Sequence, residues 1–168
     1  STVYLGFDHI WVVEHHFEDY SFCPDNFVYL SYIAGQTKRI KLATGACIVP
    51  WNIQPLRVAE KAALLDQLSG GRAILGLGRG LSLKEFEQFG VPMDESRERF
   101  DEAAPLIVDA LEKGEMGPHQ GKFFNQPKAV IRPRPTESFK DRLVQVAMSP
   151  ESGQEAALLG AQMMAFNY

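Results

Sequence analysis

The segment Glu14-His15-His16-Phe17 places two imidazoles and a carboxylate at the end of an apolar run. An imidazole, with an ordinary pKa near ~6.5, accepts or donates a proton at neutral pH. Along an extended strand adjacent side chains point to opposite faces, so Glu14 and His16 share one side and His15 takes the other. Adjacent histidines so disposed cannot chelate one ion, and no metal site is expected. Taken alone, such a pair reads best as buried imidazoles hydrogen-bonded to their neighbours.

Two further segments carry chemistry. Gly76-x-Gly78-Arg79-Gly80 lacks the GxGxxG spacing and follows two earlier strand-helix units, which rejects a Rossmann dinucleotide site. Glycines there let backbone approach a ligand, and Arg79 offers a planar donor fork suited to phosphate. The alternative is a tight turn with Arg79 in a surface salt bridge. Ser149-Pro150-Glu151-Ser152 reads as a helix start, whose free N–H groups favour an anion while Ser149 caps the helix.

The elements that position these segments alternate between apolar strands and helical periodicity, the pattern of a parallel α/β architecture. Strands are expected at residues 9–16, 40–49, 73–80, 143–148 and 161–166. A helix over 24–36 would put Phe27, Leu30, Tyr32 and Ile33 on its apolar side. Pro55 opens a helix with Leu56, Ala59, Ala63, Leu64 and Leu68 facing the core and Gly70-Gly71 as its stop. Asp66 and Arg72 are expected to serve structure, through helix termination and an ion pair at the foot of the next strand.

Ser82-Leu83-Lys84-Glu85 has capping-box spacing, and Asp94 is placed to cap a longer helix running to about Gly114. Proline and glycine then break the rhythm, so about residues 115–142 read as a loop or hairpin excursion. The whole, residues 1–168, is read as a single partial barrel domain. Five strands fall short of the ~250 residues of an eight-stranded (β/α) barrel, which makes the chain look like an interrupted one. An open doubly wound sheet also fits the length.

With 45% hydrophobic and 23% charged residues the composition is that of a globular domain. A net charge of -4 over 17 basic and 21 acidic side chains leaves no basic stripe, which argues against nucleic acid. No apolar run approaches ~20 residues and the N-terminus does not read as a signal peptide, so no membrane role and a cytoplasmic location are expected. Cys23 and Cys47 belong to no CxxC or Cys/His cluster and read as buried thiols.

Four segments in order resemble the bacterial-luciferase-like flavin monooxygenases. Gly6-Phe7-Asp8 leads to Trp11-Val12-Val13-Glu14-His15-His16-Phe17, and Thr44-Gly45-Ala46 precedes Pro50. Leu65-Asp66-Gln67-Leu68-Ser69-Gly70-Gly71-Arg72 ends a helix. Gly76-Leu77-Gly78-Arg79-Gly80 precedes Glu85-Phe86, Phe89-Gly90 and Ser96-Arg97, and the match continues through Ser149-Pro150-Glu151-Ser152.

The resemblance implies an incomplete (β/α)8 TIM-type barrel, about strands 2 to 6 with their helices. It implies a two-component monooxygenase in which reduced FMN from a separate flavin reductase reacts with oxygen through a flavin hydroperoxide and oxidises a small organic substrate. A long-chain aldehyde is the luciferase-type substrate; alkanes, terpenes, ketones and sulfonates suit relatives. His15 takes the catalytic proton-handling role. Arg79, Ser149 and Ser152 are implied at the flavin phosphate, and Glu14, His16, Gly45, Ala46, Gly80 and Met148 elsewhere around the cofactor. Gly45-Ala46 matches a place where some members hold a non-proline cis peptide beneath the flavin ring, and Gly78 stands where certain luciferase subunits carry a reactive cysteine. A homo- or heterodimer is the implied assembly. The competing readings are an F420-dependent hydride-transfer oxidoreductase and a non-catalytic flavin-binding or accessory subunit of the same fold.

Overall fold

A computed structural model describes residues 6–21 and 23–166. Its elements are β1 (His9–Val12), α1 (Asn26–Gln36), β2 (Lys41–Thr44), β3 (Cys47–Ile48), α2 (Pro55–Ser69), β4 (Ala73–Gly78) and α3 (Leu83–Phe89). A 3-10 turn at Met93–Glu95 leads into α4 (Ser96–Lys113). The short strands β5 (Glu115–Met116), β6 (His119–Gln120), β7 (Asn125–Gln126) and β8 (Ala129–Val130) follow, then β9 (Leu143–Val146), α5 (Pro150–Leu159) and β10 (Gln162–Met164).

β1, β2, β4, β9 and β10 lie side by side in chain order, and each neighbouring pair is parallel. A doubly wound sheet reverses its strand order at a switch point, and this order never reverses, which excludes the open alternative. With right-handed crossovers an unreversed order keeps the helices on one side, as in the wall of a (β/α)8 barrel.

The registers locate one irregularity. Leu42 pairs with Ala73 and Ala43 with Ile74, whereas Cys47 pairs with Leu77 and Ile48 with Gly78. The strand therefore carries one residue more than β4 between Ala43 and Cys47, a bulge that re-aims the side chains beyond it. The single strand expected over 40–49 is accordingly divided at Gly45-Ala46, whose peptide bond is cis. Thr44 closes the bulge against β4: its hydroxyl donates to Gly76 O and accepts Gly76 N–H, both at 2.8 Å. A Cβ on Gly76 would lie 2.0 Å from Thr44 O, so only glycine permits this approach.

The core lies between the strands and the helices, with Leu42, Leu75, Leu77 and Leu143 meeting Leu30, Val58, Ala62, Phe100 and Ile107. Burial of each large apolar side chain contributes roughly 1.5–3 kcal/mol. The helix faces differ from expectation. On α2 the buried face is Val58, Ala59, Ala62, Ala63 and Leu65, while Leu64 and Leu68 are 48% and 57% exposed. Alanines pack closely against α4 and the sheet, turning those leucines outward. On α1 Ala34 is buried and Tyr32 is exposed.

Several termini also shift. α1 begins at Asn26 because Asp25 caps it, accepting the N–H groups of Phe27 and Val28. Asp94 does not cap α4; it falls within the 3-10 turn that follows Pro92. Gly70 ends α2 with φ 65°, as the sequence predicts. The excursion forms two nested antiparallel ladders, β5 with β8 and β6 with β7. Among the described residues Arg72 makes no ion pair: its guanidinium donates to carbonyls of Ala34, Thr37, Ile40 and Ser69 and to Thr37 Oγ1. Asp66 pairs instead with Arg142. Cys47 is buried, but Cys23 is only partly so.

Candidate functional site

The strands end around a cavity of about 440 Å³, within the size range of small-molecule sites. Val13, Glu14, His15 and Tyr20 line it after β1, Gly45, Ala46 and Ile48 at the bulge, Gly78 at the end of β4 with Arg79, Gly80, Leu81 and Glu85 beyond it, and Val146 at the end of β9 with Met148 beyond it. Phe166 adds to the rim. A cleft of similar size, about 470 Å³, lies on the outer face between α4 and α5 and shares none of these residues.

β1 ends at Val12, so residues 13–16 leave the ladder instead of extending the strand to 16. The alternation nevertheless persists. His16 Nε2 lies 3.3 Å from Glu14 Oε1, while His15 reaches the cavity and puts Nδ1 3.2 Å from Glu85 Oε1. His16 is enclosed by aromatic rings, 4.7 Å from Phe89 and 5.8 Å from Trp51 between centroids, and does not line the cavity.

Glu14 is buried, and its oxygens are occupied. Oε1 accepts the Trp51 indole N–H at 2.7 Å, and Oε2 accepts Ile48 N–H at 2.9 Å. Its carboxylate thus holds the bulged strand in place beneath the cavity. Asn26 assists, donating to Val12 O at 3.3 Å and Ala46 O at 3.1 Å from a buried position at the start of α1. A polar residue on the buried face of a helix was its one sequence signal.

Glu85 is the main site residue that motif reading misses. Ser82 caps α3 as expected, accepting Glu85 N–H at 3.4 Å. The capping box is only half made, because the Glu85 side chain does not return to the Ser82 backbone. It turns into the cavity wall, where Oε1 also accepts His16 N–H at 2.7 Å.

Arg79, which lines the cavity just after β4, is half-buried and donates from Nη2 to Ser152 Oγ at 3.4 Å. Ser149 Oγ accepts Ser152 N–H at 3.3 Å and lies 3.1 Å from Ser152 Oγ, so the cap and its partner form one hydroxyl pair at the start of α5. Burial, and then the neighbouring Arg97 charge, lower the pKa of Arg79 from its ordinary value. Arg97 itself pairs with Glu155. Among the described residues no carboxylate lies within ion-pair distance of Arg79, which leaves most of its five donors unused. Beside it, burial and then Glu155 raise the pKa of Asp101. Gly80 has φ 80°, and a Cβ there would lie 2.9 Å from Trp51.

Among the described residues no group of three or more His, Cys, Asp or Glu could hold a metal ion, and no helix is long and apolar enough to cross a membrane. The unreversed parallel order, with a cavity at the strand ends lined by His15 and Arg79, is that of an incomplete (β/α) barrel. The comparisons with known proteins then place it: the family described as luciferase-like monooxygenase matches residues 4–168, and the chain belongs to that family. Its members are oxidoreductases that bind flavin.

The chain is 32% identical over 158 residues to the alkanal monooxygenase alpha chain of Aliivibrio fischeri, covering 94% of this chain and 43% of that protein. It is 31% identical over 161 residues to the oxygenase component of a flavin-dependent trigonelline monooxygenase of Acinetobacter baylyi, covering 94% and 44%. The monooxygenase RslO1 of Streptomyces bottropensis superposes with a TM-score of 0.88 at 34% identity, covering 96% and 49%. The chain spans about half the length of these relatives. In fold alone it also resembles an F420-dependent secondary alcohol dehydrogenase bound to an F420-acetone adduct, with a TM-score of 0.84 at 22% identity over 96% of this chain and 50% of that one. The oxygenating constituent of 3,6-diketocamphane monooxygenase from Pseudomonas putida, in complex with FMN, gives 0.79 at 19% over 98% and 48%.

Proposed function

We propose that this chain carries the flavin-binding and proton-handling half of a two-component monooxygenase that uses reduced FMN and oxygen to oxidise a small organic substrate. The observation that carries the reading is that one cavity is lined by both His15 and Arg79, with Arg79 bonded behind it to Ser152. The donor set fits a flavin phosphate: a desolvated guanidinium short of acceptors, two hydroxyls and the first turn of a helix favour a phosphate group. Bound reduced FMN would supply the electrons that activate oxygen. Arg79, Ser149 and Ser152 fix the phosphate, and Gly45, Ala46, Gly78 and Gly80 leave room for a flat ring. Leu81, Met148, Tyr20 and Phe166 exclude water. His15 moves one proton through the ring nitrogen that Glu85 does not hold.

A separate reductase is the proposed source of reduced flavin, in keeping with the trigonelline relative, which is the oxygenase component of its monooxygenase. The exposed apolar side chains Val28, Tyr29 and Tyr32 on α1 and Leu64 and Leu68 on α2 suit a second subunit. The test is anaerobic loading with reduced FMN or reduced F420, followed by oxygen and candidate aldehydes or ketones. Oxygen incorporated into product with FMN supports the proposal. Hydride transfer with F420 alone would replace it with the deazaflavin reading, and flavin binding without turnover with the accessory-subunit reading.

A further inference from the structure

Glu85 occupies a position that helix capping does not explain. As the third residue of α3 it was free to return to the Ser82 backbone, yet its carboxylate is 2% exposed and directed at the β1 loop. A buried carboxylate must be matched by donors. Among the described residues its donors are His16 N–H at 2.7 Å and His15 Nδ1 at 3.2 Å, both on Oε1, and no lysine or arginine lies within ion-pair distance. An ionised carboxylate only accepts, so opposite it the facing ring nitrogen is the one that carries the proton.

That constraint determines the ring's tautomer. With the proton of the neutral imidazole on Nδ1, the lone pair resides on Nε2, for which no hydrogen-bond partner exists among the described residues. We propose that Glu85 is the positioning residue of His15, fixing the Nδ1–H tautomer and leaving Nε2 as the nitrogen that accepts a proton. The bond to His16 N–H serves the same end, since it anchors the backbone that carries the His15 ring. Tyr20 completes the clamp with an edge contact to that ring, 5.4 Å between centroids. The tautomer assignment stands on geometry alone, and its consequence for turnover rests on the function proposed above.

The experiment reads the tautomer directly, by ¹⁵N NMR of the imidazoles in the protein without flavin. The chain has four histidines, so His15→Gln identifies the His15 pair of signals by their loss. Wild-type His15 should show a protonated Nδ1 and an unprotonated Nε2 at a pH where the ring is neutral. Glu85→Ala should shift the ring toward a mixture of tautomers. Glu85→Gln, which keeps the volume and the oxygen that faces both His16 N–H and His15 Nδ1, should leave the ring closer to the wild-type tautomer than Glu85→Ala does. An unprotonated Nδ1 in wild type, or populations unchanged in Glu85→Ala, would overturn the assignment. A second readout separates it from the proposed function: kcat should fall about 10²-fold in Glu85→Ala with FMN affinity within about threefold. Shifted tautomers with unchanged kcat would leave Glu85 as the positioning residue and remove His15 from the chemistry.

Discussion

The Trp51 indole N–H donates to Glu14 Oε1 at 2.7 Å, joining the end of the first strand to the loop that follows the bulge. Because Glu14 also accepts Ile48 N–H, its removal strands two donors in a buried setting, and each such loss costs about 1–3 kcal/mol. Glu14→Ala is therefore expected to destabilise the fold by about 3 kcal/mol. Trp51→Phe, which deletes one donor and keeps most of the ring packing against Phe86 and Phe89, should cost about half as much. Urea unfolding of the two variants checks the order; a larger loss for Trp51→Phe would show that packing outweighs the carboxylate.

Arg79→Ala separates phosphate recognition from ring recognition. A charged hydrogen bond contributes about 1.5–3 kcal/mol, so FMN affinity should fall about 10- to 100-fold. Riboflavin, which lacks the phosphate, should bind the variant about as well as wild type. Equal losses for both ligands in a fluorescence titration would place Arg79 outside the phosphate site.

The strands were legible because each is a short apolar run bounded by turn residues, and their ends carry the cavity. Side-chain direction on the helices was less so. Periodicity rewards leucine, but Ala59, Ala62 and Ala63 are the residues small enough to let α2 approach its neighbours, which sends Leu64 and Leu68 outward. The bulge was invisible because it depends on how two strands register, and the role of Asn26 because it depends on the bulge. Glu85 was in view as half of a capping motif, a local pattern that its contact with a residue 70 positions away overrides.

The outward leucines make their own prediction. If they face a partner subunit, Leu64→Glu with Leu68→Glu should convert a dimer to a monomer in analytical ultracentrifugation while the circular dichroism spectrum is retained. Both positions are exposed in the single chain, so the fold itself loses little. An unchanged mass would move the interface off α2.

Acid should loosen the excursion first where Glu102 holds it. From α4 this carboxylate accepts the N–H groups of Lys122, Phe123 and Phe124 at 3.0–3.1 Å and lies 2.9 Å from His119 Nε2. Burial pulls its pKa upward, but the His119 bond and the Phe123 and Phe124 N–H groups outweigh it, leaving a net value below the ordinary 4.5. A carboxyl with a depressed folded pKa contributes stability that is full above 4.5 and is lost as pH falls through the folded value. Asp66 adds to the same window: burial opposes the bonds from Arg142 and Thr136, which still leave it below 3.8. Amide exchange at residues 122–124 should therefore accelerate as pH falls below 4.5 and through the lower folded value, after correction for intrinsic rates. Glu102→Ala should show the fast exchange already at neutral pH and lose about 1–3 kcal/mol of stability, with little further change in acid from this site. Protection that persists in that variant would assign the anchoring to the ladder bonds of β6 and β7 instead.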